Sequence, residues 1–125
     1  MPRKIRPREL RKSKGPEAVI QEAIVNFLKI RDWHVMETHG NMYQCGFPDL
    51  YVTHHTKGIK WVEVKNPEKY EFTPAQLEHF PIISNHGVGI WIMTAATEFE
   101  YRKIFKAPNW THYLQHMNPN ARLGI

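Results

Sequence analysis

An aspartate and a closely spaced glutamate and lysine are the residues of this sequence best suited to chemistry. Asp49 follows Pro48, and a single residue, Val64, separates Glu63 from Lys65. Alternate side chains of an extended strand share a face, so Glu63 and Lys65 point the same way. Two carboxylates and an ammonium group brought together are typical of a site that binds a hard cation beside a phosphate. These residues therefore favour metal-dependent hydrolysis of a phosphodiester.

The acids interrupt two apolar segments that a hairpin would join. Residues 49–53 and 61–65 alternate, with leucine and valine on one face and the charged residues on the other. The polar segment between them contains Gly58, placed where a short hairpin loop needs positive φ. The pattern therefore predicts a β-hairpin over residues 47–66.

The length of the loop decides which residues of the hairpin face each other. A loop of residues 56–58 sets Asp49 opposite Lys65, with Glu63 on the neighbouring diagonal. Opposed Cβ atoms lie about 5 Å apart and diagonal ones about 7–8 Å, so both carboxylates would reach one cation. We expect Asp49 and Glu63 as ligands of Mg²⁺, for which Mn²⁺ can substitute, and the backbone carbonyl of Val64 as a third ligand. Lys65 would orient the attacking water or stabilise the developing negative charge.

A solvated sheet face is the alternative interpretation. Acids and lysines on neighbouring strands commonly form weak ion pairs without binding any ligand. Here the acids interrupt strongly apolar strands, where a charge is costly unless something binds it. The combination therefore favours a binding site.

A helix near residues 17–31 offers a third carboxylate. Apolar residues recur there at helical spacing, on one stripe that comprises Ile20, Ile24, Phe27 and Leu28. At about 100° per residue, Glu17 falls within that stripe and Glu22 nearly opposite it, which favours Glu17 as the ligand. The alternative for Glu17 is a stabilising acid in the first turn of the helix, without a catalytic role.

Taken in order, these segments resemble the PD-(D/E)XK nucleases, and most closely their VRR-NUC branch. The resemblance covers about residues 16–95 and depends on four segments: Glu17 before Ile20-Gln21, Gly46-Phe47-Pro48-Asp49-Leu50, Glu63-Val64-Lys65, and Thr73-Pro74-Ala75-Gln76. It implies that Gln76 lies beside the metal site. The residues alone also fit a capping box, in which Thr73 and Gln76 satisfy the first backbone donors of a helix, and the two roles are compatible.

The resemblance also implies a fold and an activity. The fold would be an α/β restriction-endonuclease-like core in the order α-β-β-β-α-β, with a mixed central sheet flanked by helices. The activity would be that of a Mg²⁺-dependent DNA endonuclease acting on branched DNA such as Holliday junctions, as a symmetric homodimer or higher oligomer. Two alternatives stay open: a site-specific homing or restriction endonuclease that cuts linear duplex, and a non-catalytic nucleic-acid-binding module on a nuclease fold.

The remaining helices and strands are predicted from the spacing of apolar residues and from the position of proline. We expect a strand near 33–38, a helix from residue 74 that Pro81 kinks or ends, and a helix near 97–106. The nearly continuous apolar run near 88–94 predicts a buried central strand. The nuclease core would therefore occupy residues 17–107, after a flexible arm of residues 1–16 and before a C-terminal extension, 108–125, that could cap the core or form an oligomer contact.

Positive charge is concentrated at the N-terminus. Residues 1–16 carry a net charge of +6 and residues 17–125 a net charge of −1. The seven basic residues of this arm are Arg3, Lys4, Arg6, Arg8, Arg11, Lys12 and Lys14. We expect the arm to be disordered alone and to contact nucleic-acid phosphates, with His39, Asn41 and Lys69 as further contacts. A solvated tail or a protein-binding segment is the alternative for the arm.

Length and composition limit the class of protein. A chain of 125 residues that is 42% hydrophobic suits one domain with a single core. No apolar run approaches 20 residues, so no transmembrane helix is expected. The single cysteine excludes an internal disulfide framework. We expect a cytoplasmic protein of a bacterial or phage-infected cell.

Overall fold

A computed structural model describes residues 15–38 and 46–114. The predicted α-β-β-β-α-β order is confirmed, and two short helices follow it. The elements are α1 (Pro16–Ile30), β1 (His34–Glu37), β2 (Leu50–His54), β3 (Gly58–Val64), α2 (Pro74–Asn85), β4 (Ile90–Met93), α3 (Glu98–Lys103) and α4 (Trp110–Leu114). No helix in these two ranges is both long and apolar enough to cross a membrane.

The four strands form one mixed sheet in the order β1-β2-β3-β4. The first three strands are antiparallel, and β4 runs parallel to β3. The prediction that β4 is central was wrong, because it lies at the edge of the sheet that the described residues form. Its apolar run still fits burial, because Ile90, Ile92 and Met93 are fully buried.

The side chain of Asn109 covers the outer edge of β4. The backbone N–H of Ile92 donates to Asn109 Oδ1 at 2.6 Å, and Asn109 Nδ2 donates to the carbonyl of Ile92 at 3.3 Å. At Ile92, an amide side chain thus takes the place that another strand would occupy and pairs the backbone groups that an open edge would expose.

The register of the hairpin differs from the prediction by two residues. Gly58, with φ of 86°, opens β3 opposite His54 instead of ending the loop. Continuing this pairing sets Asp49 opposite Glu63, whereas the predicted pairing set it opposite Lys65. Because side chains alternate with a period of two, a shift of two residues leaves every side chain on its predicted face.

Two apolar clusters lie on opposite faces of the sheet. One buries α1 and α3 residues against β2 and β3, and its members include Ile24, Val25, Leu28, Leu50, Val52, Val62, Val64, Tyr101 and Ile104. The other, around β4 and α2, consists of Phe72, Phe80, Ile90, Ile92 and Trp110. Trp110 places α4, the first part of the predicted extension, against the core.

Helix α2 begins with the predicted capping box. The Thr73 hydroxyl accepts a hydrogen bond from the Gln76 backbone N–H, and Gln76 Oε1 accepts one from the Thr73 backbone N–H. The helix runs through Pro81 to Asn85, so this proline does not end it, and the alternative that it kinks the helix stays a prediction. Gly87, with φ of 89°, follows the helix in the left-handed conformation that favours glycine.

Candidate metal centre

Asp49 stands just before β2, and backbone contacts fix its position. The N–H of Val64 donates to Asp49 Oδ2 at 2.9 Å, and the N–H of Asp49 donates to Glu63 Oε1 at 3.1 Å. On the other side, the Thr38 N–H donates to the Asp49 carbonyl at 2.8 Å, and the Thr38 hydroxyl donates to the carbonyl of Pro48. Thr38 therefore helps to position Asp49, a role that no sequence pattern indicated.

Glu63 is almost fully buried, with 1% of its surface exposed. Its Oε2 accepts a hydrogen bond from Gln76 Nε2 at 2.8 Å and lies 3.1 Å from the Lys65 ammonium. Its Oε1 accepts the bond from the Asp49 N–H. These contacts hold both carboxylate oxygens of Glu63 in fixed directions.

The ammonium group of Lys65 is also enclosed. It donates to the Glu71 carbonyl at 2.8 Å and to Gln76 Oε1 at 3.1 Å, and it forms the ion pair with Glu63. Its Nζ lies 4.6 Å from the centre of the Phe72 ring. A lysine ammonium has three donors, so these three oxygens satisfy it fully. Lys65 therefore positions Glu63 and Gln76 in the structure described.

Gln76 carries both roles that the sequence left open. Its Oε1 closes the capping box at Thr73, and the same oxygen accepts from Lys65. Its amide nitrogen donates to Glu63. The start of α2 is thereby joined directly to the carboxylate cluster.

Glu17 brings a third carboxylate from the first turn of α1. One carboxylate oxygen each from Glu17, Asp49 and Glu63 lie within 4.8 Å of one another, although Glu17 itself is exposed. Two other polar residues of α1 are not part of this cluster: Gln21 Nε2 donates to Glu37 Oε1 at 2.9 Å, and Glu22 is not among the residues that line the cavity around the carboxylates.

Burial, together with repulsion from a neighbouring carboxylate, raises the pKa of both inner carboxyl groups; the neighbour is Glu17 for Asp49 and Asp49 for Glu63. Burial raises the pKa of Glu63 to about 8, and the charge of Asp49 adds to the rise while Lys65 opposes it. Burial also raises the pKa of Asp49 to about 6, opposed by the hydrogen bond from the Val64 N–H. In both cases burial is the largest cause, and the nearby Lys65 ammonium offsets it only in part.

A divalent cation fits this donor set. Three carboxylates around one point face a single buried ammonium, so negative charge is in excess. All the converging donors are carboxylate oxygens, the ligands that Mg²⁺ and Mn²⁺ prefer. The described contact of Val64 is its N–H on Asp49, and its carbonyl as a ligand stays a prediction.

The cluster lines an open cavity of about 730 Å³. Asn66, Lys69 and Tyr70, from the segment after β3, form another part of its wall, which places Lys69 at the site as a candidate phosphate contact. The Tyr70 hydroxyl donates to the Tyr113 carbonyl at 3.0 Å, so α4 holds this wall. The seven basic arm residues, His39 and Asn41 lie outside the described residues, and their roles and the domain boundaries stay predictions.

Comparison with known proteins bears on the fold. No family model matches the chain, and no curated protein matches it. Among solved structures, a VRR_NUC domain superposes with a TM-score of 0.53 at 19% sequence identity, over 84% of this chain and 100% of the other. The resemblance inferred from the sequence is therefore confirmed at the level of the fold, which is that of a VRR_NUC domain.

Proposed function

We propose that this chain is a Mg²⁺-dependent DNA endonuclease that cuts branched DNA. The observation that carries the proposal is the convergence of Glu17, Asp49 and Glu63 within 4.8 Å, beside the buried Lys65, in a VRR_NUC fold. A solvated sheet face would not bury Glu63 and Lys65 together at 1% and 3% exposure.

The three carboxylates would hold the ion, with the Val64 carbonyl as a further ligand. When bound, Mg²⁺ or Mn²⁺ would lower the pKa of water and neutralise charge on the phosphate. Asp49 and Glu63 are held in place by backbone and side-chain hydrogen bonds, so they need little rearrangement to bind it. The exposed Glu17 would complete the ligand set from α1.

Lys65 and Gln76 would serve the reaction through charge and orientation. The Lys65 ammonium lies 3.1 Å from Glu63, so it would be close to a phosphate bound at the carboxylates. There it would stabilise the negative charge that develops in the transition state. Gln76 would keep both Lys65 and Glu63 oriented.

DNA would be bound by positive charge around the cavity. Lys69 lines the cavity, and so does Pro16, the last residue of the basic arm. His39 and Asn41 belong to the same proposal. A homodimer related by a twofold axis would bring two such sites to the two strands of a branched substrate.

Cleavage assays test this proposal. Labelled four-way junction, flap, linear duplex and single strand are each incubated with the protein in Mg²⁺ or in EDTA. We expect cutting of the branched substrates in Mg²⁺ only, and a loss of about a hundredfold or more in Asp49→Asn. Preference for a defined linear duplex would support a restriction-type or homing enzyme instead. DNA binding without cleavage, unchanged in Asp49→Asn, would support a non-catalytic module.

A further inference from the structure

The sheet face that carries the carboxylates continues as an aromatic surface. Tyr51 and Trp61 are directly paired across β2 and β3, and each lies two residues from Asp49 or Glu63. Alternate residues share a face, so these two rings extend the same face away from the cavity. Phe47, two residues before Asp49, adds a third ring.

Trp61 lies between the other two rings and contacts both, and Phe47, Tyr51 and Trp61 together form an aromatic row. The Trp61 ring centre lies 4.8 Å from that of Tyr51 and 6.0 Å from that of Phe47. Phe47 is 46% exposed, and the neighbouring Met36 and Ile59 are 53% and 60% exposed. Among the described residues, the second apolar cluster covers this face only around β4. Tyr51 and Trp61 are half-buried and Phe47 is exposed, so part of the aromatic row is accessible beside the described residues.

The position and the chemistry of the aromatic row together indicate which ligand binds this surface. Two residues of a strand span about 6.6 Å, so the aromatic row begins one step from the point where the carboxylates converge. A nucleic-acid strand with a phosphate at Asp49 and Glu63 would therefore bring its neighbouring bases over the rings. The row itself carries no charge, which suits the π-faces of bases and not phosphates.

We propose that the aromatic row stacks against unpaired bases of the strand whose phosphate lies at the carboxylates. This inference rests on the proposed function and narrows its substrate to DNA with splayed or unpaired nucleotides beside the cut. Bases inside a regular duplex are stacked on each other and do not present their faces, whereas bases at a junction or flap can. Selection of branched DNA would then come from the sheet face.

A double-mutant cycle, which combines a change in the protein with a change in the DNA, tests whether bases stack on the aromatic row. Phe47→Leu removes the exposed ring but keeps an apolar side chain, and Phe99→Leu is the matched control because Phe99 is 68% exposed on α3, on the other side of the sheet. The probes are a short oligothymidylate and the same strand with abasic sites in place of its central bases. Binding is measured in Ca²⁺, a hard cation that carboxylate sites accept, with strand integrity checked afterwards.

We expect Phe47→Leu to bind the base-bearing strand at least about fivefold more weakly than the unchanged protein, and the abasic strand equally well. Phe99→Leu should match the unchanged protein on both strands. An equal effect of Phe47→Leu on both strands, or none on either, would overturn the stacking proposal while cleavage in Mg²⁺ still supported the nuclease. A change in oligomer mass in Phe47→Leu with base-independent binding would assign the row to a protein contact instead. Failure of the unchanged protein to bind or cut any DNA would count against the proposed function itself.

Discussion

Gly46, three residues before Asp49, offers a quantitative test of how the site is positioned. Its φ is 87°, and a Cβ added there would lie 2.5 Å from the His79 ring and 3.0 Å from the carbonyl oxygen of Ala75. The ring can rotate away, but the carbonyl belongs to the backbone of α2. Gly46→Ala should therefore push the segment that leads to Asp49 away from α2.

Two other glycines separate the cost of positive φ from the cost of the close contact with α2. Gly58 has nearly the same φ, 86°, but nothing within 4 Å of an added Cβ, and Gly15 also has open space and no positive φ. Positive φ costs a non-glycine residue about 1–2 kcal/mol, and overpacking adds about 1–3 kcal/mol. We expect Gly46→Ala to lower the free energy of unfolding by about 2–5 kcal/mol, Gly58→Ala by about 1–2 kcal/mol and Gly15→Ala by almost nothing.

Urea denaturation followed by tryptophan fluorescence measures all three variants. Mg²⁺ titration of the same samples measures the effect on Asp49, and we expect weaker Mg²⁺ binding in Gly46→Ala but not in Gly58→Ala. If Gly46→Ala is no less stable than Gly58→Ala, close packing of Gly46 on α2 does not position the site.

Three further predictions concern the carboxylates and the sheet edge. Glu17→Gln should weaken Mn²⁺ binding about tenfold or more, and Glu22→Gln on the same helix should not, as measured by calorimetry; equal effects would exclude Glu17 as a ligand. Asn109→Leu leaves the Ile92 N–H without its described acceptor, so it should cost about 1–3 kcal/mol in urea denaturation, and an unchanged midpoint would contradict the edge contact. Because the folded pKa of Glu63 is raised to about 8, the folded protein holds a proton that the unfolded chain has released, so stability should fall as pH rises from about 5 to 8. Mg²⁺ should raise the melting temperature more at pH 8 than at pH 5, and a stability independent of pH in this range would show that Glu63 is not shifted.

The faces of the strands were predictable because alternation is local. The sequence around Asp49, Glu63 and Lys65 was enough to predict which side chains share a face, and the capping box was enough to place Gln76 at the start of α2. The register of the hairpin could not be predicted, because two different loops fit the same polar segment between the strands. The difference depends on whether Gly58 ends the loop or opens the strand.

Contacts between distant segments could not be predicted. Asn109 is 17 residues from Ile92, and nothing in its neighbourhood marks it as the cover of a strand edge. An apolar run therefore predicted burial of β4 correctly and its position in the sheet wrongly. Thr38 is similar, because a single threonine after a strand gives no sign that it will bind the backbone beside Asp49.

The central claim is that the carboxylates of Glu17, Asp49 and Glu63 hold one divalent cation. A crystal of the protein grown with Mn²⁺ tests it directly through the anomalous signal of the ion. We expect a peak among these three carboxylates, within about 2.0–2.6 Å of their oxygens, that disappears in Asp49→Asn. The claim would be contradicted if the site is ordered at saturating Mn²⁺ but shows no such peak, or if the ion binds elsewhere.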